Sequence, residues 1–326
     1  RPKGGPLMTL KGNRHLVLGR AGMDLYADPP GTEIPHATRF VAHLGGSAAN
    51  IAVALARHGA QAALLTRLSD DAVGRFCLTQ LDAYGIDRTH VRMTGADTRT
   101  SLAVVETRLE NCQSVIYRNN AADFALTPED VAQTDFTRYD SLIITGTALA
   151  QDPSRSATMA ALTKARTAGV VTVMDIDFRP YSWSSTAEAR KVNLTAARLC
   201  DIIVGNDVEF GLLAGTEAEG LTAARQLVAE TATLAVYKRG ELGAVTLTPT
   251  EEFATGIYRT KALKPTGAGD AFMGGFLTAL AQGRSPREAT LRGAANAAMV
   301  VARVGCAPAM PTTEDLDHFI ATHPDP

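Results

Sequence analysis

The stretch Lys264-Pro265-Thr266-Gly267-Ala268-Gly269-Asp270-Ala271-Phe272, continuing Met273-Gly274-Gly275-Phe276-Leu277, decides how the rest of the chain is read. After Gly269 the apolar residues Phe272, Phe276, Ala279 and Leu280 recur at helical spacing, while Pro265 discourages helix before that point. Gly267 and Gly269 therefore fall in a turn that enters a helix. Small residues there let backbone N–H groups close on an anion, and the helix N-terminus adds about +0.5 charge. Asp270 is the odd member. A carboxylate in the first helical turn is either a partner for the cap and dipole or a general base beside a bound phosphate. Other phosphate and nucleophile strings fail: Gly-x-x-x-x-Gly-Lys-Ser/Thr and Gly-x-Ser-x-Gly are absent, and the dinucleotide pattern breaks at Phe272.

Outward from this loop, short aliphatic runs alternate with amphipathic helical patterns. His15–Gly19, Ala62–Leu68, Ser141–Gly146, Val170–Ile176, Asp201–Gly205, Leu234–Lys238 and Ala244–Leu247 read as buried strands. Ala48–His58, Asp71–Tyr84, Ser154–Ala168, Ala187–Leu199 and Leu221–Glu230 read as helices between them, and Ala268–Gln282, Pro286–Arg303 and Glu314–Thr322 as a helical end. That rhythm predicts an α/β protein with a parallel sheet covered on both faces. One region breaks it. Ser101–Thr107 and Gln113–Tyr117, joined by polar Arg108–Cys112, predict an antiparallel hairpin that projects as a small lid.

Composition narrows the function classes. The 326 residues carry 32 Lys and Arg against 34 Asp and Glu, so no nucleic-acid coat or polybasic membrane surface is expected. No run of eighteen apolar residues occurs to span a bilayer. Cys77, Cys112, Cys200 and Cys306 show no zinc spacing and predict inert thiols in a reducing, cytoplasmic setting. Residues 1–7 read as an incomplete or disordered lead, with Met8 a natural first residue, and 8–323 as a single domain.

A second segment, Leu44-Gly45-Gly46-Ser47-Ala48-Ala49-Asn50 followed by Ile51–Gly59, joins the first. Together they resemble the two signature regions of the ribokinase-like (PfkB-type) carbohydrate kinase family, over about Leu16 to Pro311. The resemblance implies a mostly parallel β-sheet sandwiched by helices, with a small β-strand lid formed by about 20–45 and 97–125. It implies ATP and Mg2+ as cofactors. Asp270 matches the catalytic base, and Gly267, Ala268 and Gly269 its anion hole. Asp24, Gly45, Gly46 and Asn50 match the sugar site. Asn206-Asp207-Val208-Glu209 resembles the family's Asn-x-x-Glu element, Asn206 serving phosphate and Glu209 the magnesium through water. Lys238, Gly240 and Gly243 match the loop beside the nucleotide, and Asn296 and Gly305 the adenine pocket.

Asp175-Ile176-Asp177-Phe178-Arg179-Pro180-Tyr181-Ser182-Trp183 resembles the Asp-x-Asn-x-Arg…Trp segment of the sugar-acid branch, with Asp177 replacing Asn. Arg179 would clamp a carboxylate and Arg118 is a second cation; Arg20 is either a third or a surface residue. The strings Leu18–Tyr26 and Lys264–Thr266 and the Arg179 segment resemble the branch acting on 5-dehydro-2-deoxygluconate, the acid of inositol breakdown, with 2-keto-3-deoxygluconate as the sibling substrate. A non-catalytic sugar- or nucleotide-binding regulator is the reading from another class. In relatives, backbone near residue 264 holds a monovalent cation (K+); most members have Asp where this chain has Lys264. The unpaired lid edge suggests a homodimer.

Overall fold

Asp71 stops one strand and starts the next helix: its carboxylate accepts the amides of Val73 (2.9 Å) and Gly74 (3.0 Å), as an N-cap does. Capping boxes at Asn206/Glu209, Ser285/Glu288 and Thr312/Asp315 set three more helix starts. The computed structural model describes residues 10–95, 97–324 and 326, so the expectation for 1–7 lies outside the described residues. The chain runs through β1 (Arg14–Leu18), β2 (Gly22–Ala27), β3 (Phe40–Gly45), α1 (Ser47–Arg57), β4 (Gln61–Ser69), α2 (Ala72–Ala83) and β5 (Val91–Thr94). Next come β6 (Ser101–Val105), β7 (Ser114–Tyr117), α3 (Pro128–Ala132), β8 (Ser141–Thr145), α4 (Ser154–Thr167), β9 (Val171–Asp175) and α5 (Thr186–Ala197). It continues with β10 (Ile202–Asn206), α6 (Asp207–Ala214), α7 (Gly220–Glu230), β11 (Leu234–Lys238), β12 (Ala244–Leu247) and β13 (Glu252–Thr255). The helices α8 (Ala268–Ala281), α9 (Pro286–Val301) and α10 (Thr313–Thr322) complete it.

Among the described residues nine strands form one sheet in the order β13-β12-β11-β10-β9-β8-β1-β4-β5. It is parallel from β5 to β11. Its strands bury both faces: Val17, Ile143 and Val173 pack toward α1 and α8, while Leu16, Leu18, Leu142 and Ile144 pack toward α4. The mostly parallel sheet expected from the sequence is the one observed, and its antiparallel part lies at one edge. β12 and β13 run antiparallel, because the turn Arg239–Gly243 is too short for a crossover.

The second sheet has the order β3-β2-β6-β7. The expected β6–β7 hairpin is present and antiparallel, and β2 joins β6 in parallel. Alternation sorts its side chains: Asp24, Tyr26, Ala103, Val105 and Ile116 line a cavity, and Leu25, Leu102, Val104, Val115 and Tyr117 face away. No helix among the described residues is long and apolar enough to cross a membrane, and the four cysteines are free thiols.

Candidate active site

The loop ahead of α8 is the point where two cavities meet. Gly267 is the N-cap at φ +87°, a left-handed conformation that glycine adopts without strain. A side chain there would also collide with Cys306, whose Sγ lies 2.8 Å from an ideal Cβ. The first bond inside the helix runs from the Ala271 amide to the Gly267 carbonyl, 3.0 Å. The amides of Gly267, Ala268 and Gly269 precede it and have no acceptor among the described residues, as expected at a helix start. They form the cradle read from the sequence.

Thr266, Gly267 and Asp270 border a cavity of about 220 Å³ under the lid. Pro265, Ala268, Gly269 and Phe272 border a second one, of about 600 Å³. Asp270 therefore faces the lid side. Asn50, 220 residues earlier on α1, donates from Nδ2 to its Oδ2 at 2.9 Å. Burial pushes the Asp270 carboxyl up from 3.8 to about 7, Asp177 adds to the rise, and Asn50, Arg179 and Lys238 oppose it. A carboxyl with that pKa is suited to exchange a proton near neutral pH.

The lid supplies Asp24 from β2. Its buried carboxylate leans over Gly45 on β3, where any Cβ would sit 2.0 Å from Oδ1, so the close approach requires glycine. Burial raises the Asp24 pKa and Arg20 opposes it. Arg20 itself lines the cavity and donates to Ser101 Oγ at 2.8 Å. Gly46 lies in the same wall. Among the described residues the buried atoms Asp24 Oδ1, Asn50 Oδ1 and Arg118 Nε have no hydrogen-bond partner, and all three residues line this cavity. Buried polar atoms are normally satisfied, so the lining fits a polar ligand.

The two arginines differ. Arg118 is buried, bound to Asp123 at 2.5 Å and to the Thr147 carbonyl at 3.2 Å, and lies over the Phe124 ring. Its charge is already matched within the protein. Arg179 leaves 53% of its side chain exposed and meets Asp177 at 2.9 Å. Asp177 stands at φ +37°, a conformation uncommon for a residue with a side chain, and lines the same cavity.

On the other side, Lys238, Gly240 and Gly243 line the larger cavity with Tyr258, Phe272, Ala297, Ala298 and Val301. Lys238 Nζ lies 5.4 Å from the centroid of the Phe272 ring. Two residues matched to the adenine pocket, Asn296 and Gly305, do not line this cavity. Asn296 is fully buried and bonds His58 (2.8 Å) and the Ala271 carbonyl (3.0 Å), because it sits on the helix face turned into the body. Gly305 lies against His43 and Pro308, away from the cleft lining. The residues missed, Ala294, Ala297, Ala298 and Val301, repeat at helical spacing, and that periodicity was available in the sequence.

Asn206 and Glu209 prove to be a capping box: Asn206 Oδ1 accepts the Glu209 amide (2.9 Å) and Glu209 Oε2 accepts the Asn206 amide (2.8 Å). Glu209 Oε1 also accepts the Phe178 amide at 3.2 Å. Burial raises its pKa and Lys238 counters this. No three His, Cys, Asp or Glu side chains among the described residues converge as metal ligands. With both Glu209 oxygens on backbone amides, a divalent ion here would be carried by phosphate oxygens, and Glu209 would reach it only through water.

A family model described as pfkB family carbohydrate kinase matches residues 13–313. The chain belongs to the PfkB family of carbohydrate kinases. This PfkB kinase is 39% identical over 313 residues to the 5-dehydro-2-deoxygluconokinase of Photobacterium profundum, covering 94% of each chain. It is 36% identical over 313 residues to the enzyme of that name from Geobacillus kaustophilus, covering 94% and 93%. Its fold is similar to that of a Vibrio cholerae fructokinase variant solved with fructose, ADP and a potassium ion bound. That match has a TM-score of 0.83 and 28% identity, over 95% of this chain and 99% of the other. As a PfkB kinase the protein is a phosphotransferase acting on a sugar hydroxyl, and the ribokinase-like architecture expected from its two motifs is the one observed.

Proposed function

We propose that this kinase transfers the γ-phosphoryl group of ATP to the C6 hydroxyl of 5-dehydro-2-deoxy-D-gluconate, giving the 6-phosphate and ADP. The observation that carries this reading is the loop 265–270 serving as the common wall of two cavities, with Asp270 toward the polar one. Asp270 takes the hydroxyl proton as the oxygen attacks phosphorus. The amides of Gly267, Ala268 and Gly269 and the positive end of α8 meet the charge that develops on the phosphoryl oxygens. Asp24 and Asn50 hold sugar hydroxyls. Arg179, half-exposed in the cavity wall beside Asp177, meets the acid's carboxylate with Arg20 in the same wall, and Arg118 stays bound to Asp123. Glu209 would hold, through water, a phosphate-borne magnesium ion that would neutralise charge on the phosphates, with Asn206 and Lys238 beside the nucleotide. Gly240 and Gly243 border the adenosine side.

The identity of the curated relatives supports this acid over its sibling 2-keto-3-deoxygluconate. Side-by-side turnover on both acids and on fructose tests it. The 5-dehydro acid is expected to have the highest kcat/KM, and preference for either competitor overturns the assignment. The free thiols agree with a cytoplasmic setting. The outward lid face, with Val115 47% and Tyr117 61% exposed, supports a homodimer built through it.

A further inference from the structure

Lys264 has no solvent-exposed surface. Among the described residues its ammonium bonds only to main-chain carbonyls, Thr266 at 2.6 Å and Val300 at 3.4 Å. The backbone repeats the tie: the amides of Leu263 and Lys264 donate to the Val301 carbonyl at 2.7 and 3.3 Å. Val300 and Val301 end α9, where carbonyls without an intrahelical amide carry the negative end of the helix dipole and favour a cation. Burying a lone ammonium is expensive, and burial lowers its pKa below 10.5 while Asp270 and Cys306 oppose that shift. A charge retained in such a place needs a reason.

The geometry supplies one. A peptide unit is planar and trans, so its C=O and N–H point in opposite directions. With the Thr266 carbonyl turned to Lys264 Nζ, the Gly267 N–H of the same unit is turned away from it, and both residues border the lid-side cavity. The buried charge thus sets the first amide of the cradle. Carbonyl oxygens closing on a buried positive charge are also the donors a bound monovalent ion uses. The potassium expected near this backbone does not fit, because Nζ already lies on the two carbonyls.

We propose that the Lys264 ammonium replaces a monovalent activating cation, positioning the Thr266–Gly267 peptide for phosphoryl transfer so that turnover needs no potassium. The inference rests on the kinase reading above. Lys264 is a positioning residue, since nothing places it against a reacting atom.

The test compares wild type with Lys264→Met and Lys264→Ala, in KCl, NH4Cl or tetramethylammonium chloride at equal ionic strength. Steady-state rates, ADP binding by calorimetry and melting temperature are read on each. Wild type is expected to hold kcat, ADP affinity and melting temperature within about 2-fold or its equivalent across the three salts. Lys264→Met should lose about 10- to 100-fold in kcat with a smaller change in acid KM, the signature of a displaced group. Lys264→Ala should regain part of that loss, and part of its melting temperature, in ammonium or potassium but not in tetramethylammonium. Potassium activation of wild type by about 5-fold or more overturns the proposal, as does a Lys264→Met enzyme with normal kcat. If Lys264→Met fails to fold, the wild-type salt series and the Lys264→Ala rescue still decide. If no sugar acid is phosphorylated, the substrate reading falls, while ADP binding and melting still report on the cation.

Discussion

Replacing Asp270 with Asn separates two consequences of setting a carboxylate in the wall between the cavities. The amide keeps the shape and can still accept the bond that Asn50 donates at 2.9 Å. In the wild type, burial and Asp177 hold the carboxyl at about 7 against an ordinary 3.8. The folded protein therefore keeps this proton up to about pH 7, while the unfolded chain releases it near pH 4. Stability contributed at this site falls as pH rises between those values, and the whole loss stands above pH 7. At about 1.4 kcal/mol per pH unit, the gap sets a ceiling of about 4 kcal/mol. The side chain is partly exposed to the cavity, and solvent screening brings the expectation to about 1–2 kcal/mol. Urea unfolding at pH 8 should find the Asn variant more stable by that amount, with the two proteins converging near pH 4. Its kcat should fall by about 10²–10⁴, with the acid's KM nearly unchanged. Wild-type kcat/KM should climb as pH rises through about 7, as the base loses its proton. Near-normal turnover by the variant refutes Asp270 as base, and a variant less stable than wild type at pH 8 refutes the burial argument.

Arg179→Ala should raise the KM of the acid by about 10- to 100-fold, the worth of a charge-assisted hydrogen bond, and leave the KM of ATP within about 2-fold; equal effects on both count against the clamp. Gly45→Ala forces a methyl group into the Asp24 carboxylate. Displacing it should cost about 1–3 kcal/mol in urea unfolding and raise the acid's KM more than that of ATP. Tyr117→Lys places a charge on the outward lid face, and sedimentation should show a shift from dimer to monomer at micromolar protein; an unchanged profile argues against that interface.

The frame was legible because parallel strands buried on both faces are uninterrupted aliphatic runs. Leu234–Lys238 and Ala244–Leu247 match their expected bounds, and most others fall within one or two residues. Strands with less apolar content were harder. Glu252–Thr255 and Val91–Thr94 are short edges with one mixed face each, and nothing local distinguishes them from loop. Asp270, Asn50 and Asp24 were readable as types in motifs, yet the contact from Asn50 to Asp270 depends on how α1 packs on α8. The side on which Asn296 stands was hidden for a related reason: a fraction of a helical turn separates a residue facing the cleft from one facing His58, and identity alone does not choose. Lys264 stood out only as a departure from the family's Asp, since sequence cannot show that a lysine is dry.

Asp24 rides on β2 of the small sheet, whereas Asn50 and Asp270 stand on α1 and α8 against the large one. A molecule that bonds to both groups acts as a strut between the two halves. Its length, as much as its charge, then has to match the span from Asp24 to Asn50 and Asp270, so the enclosure gauges its guest by reach.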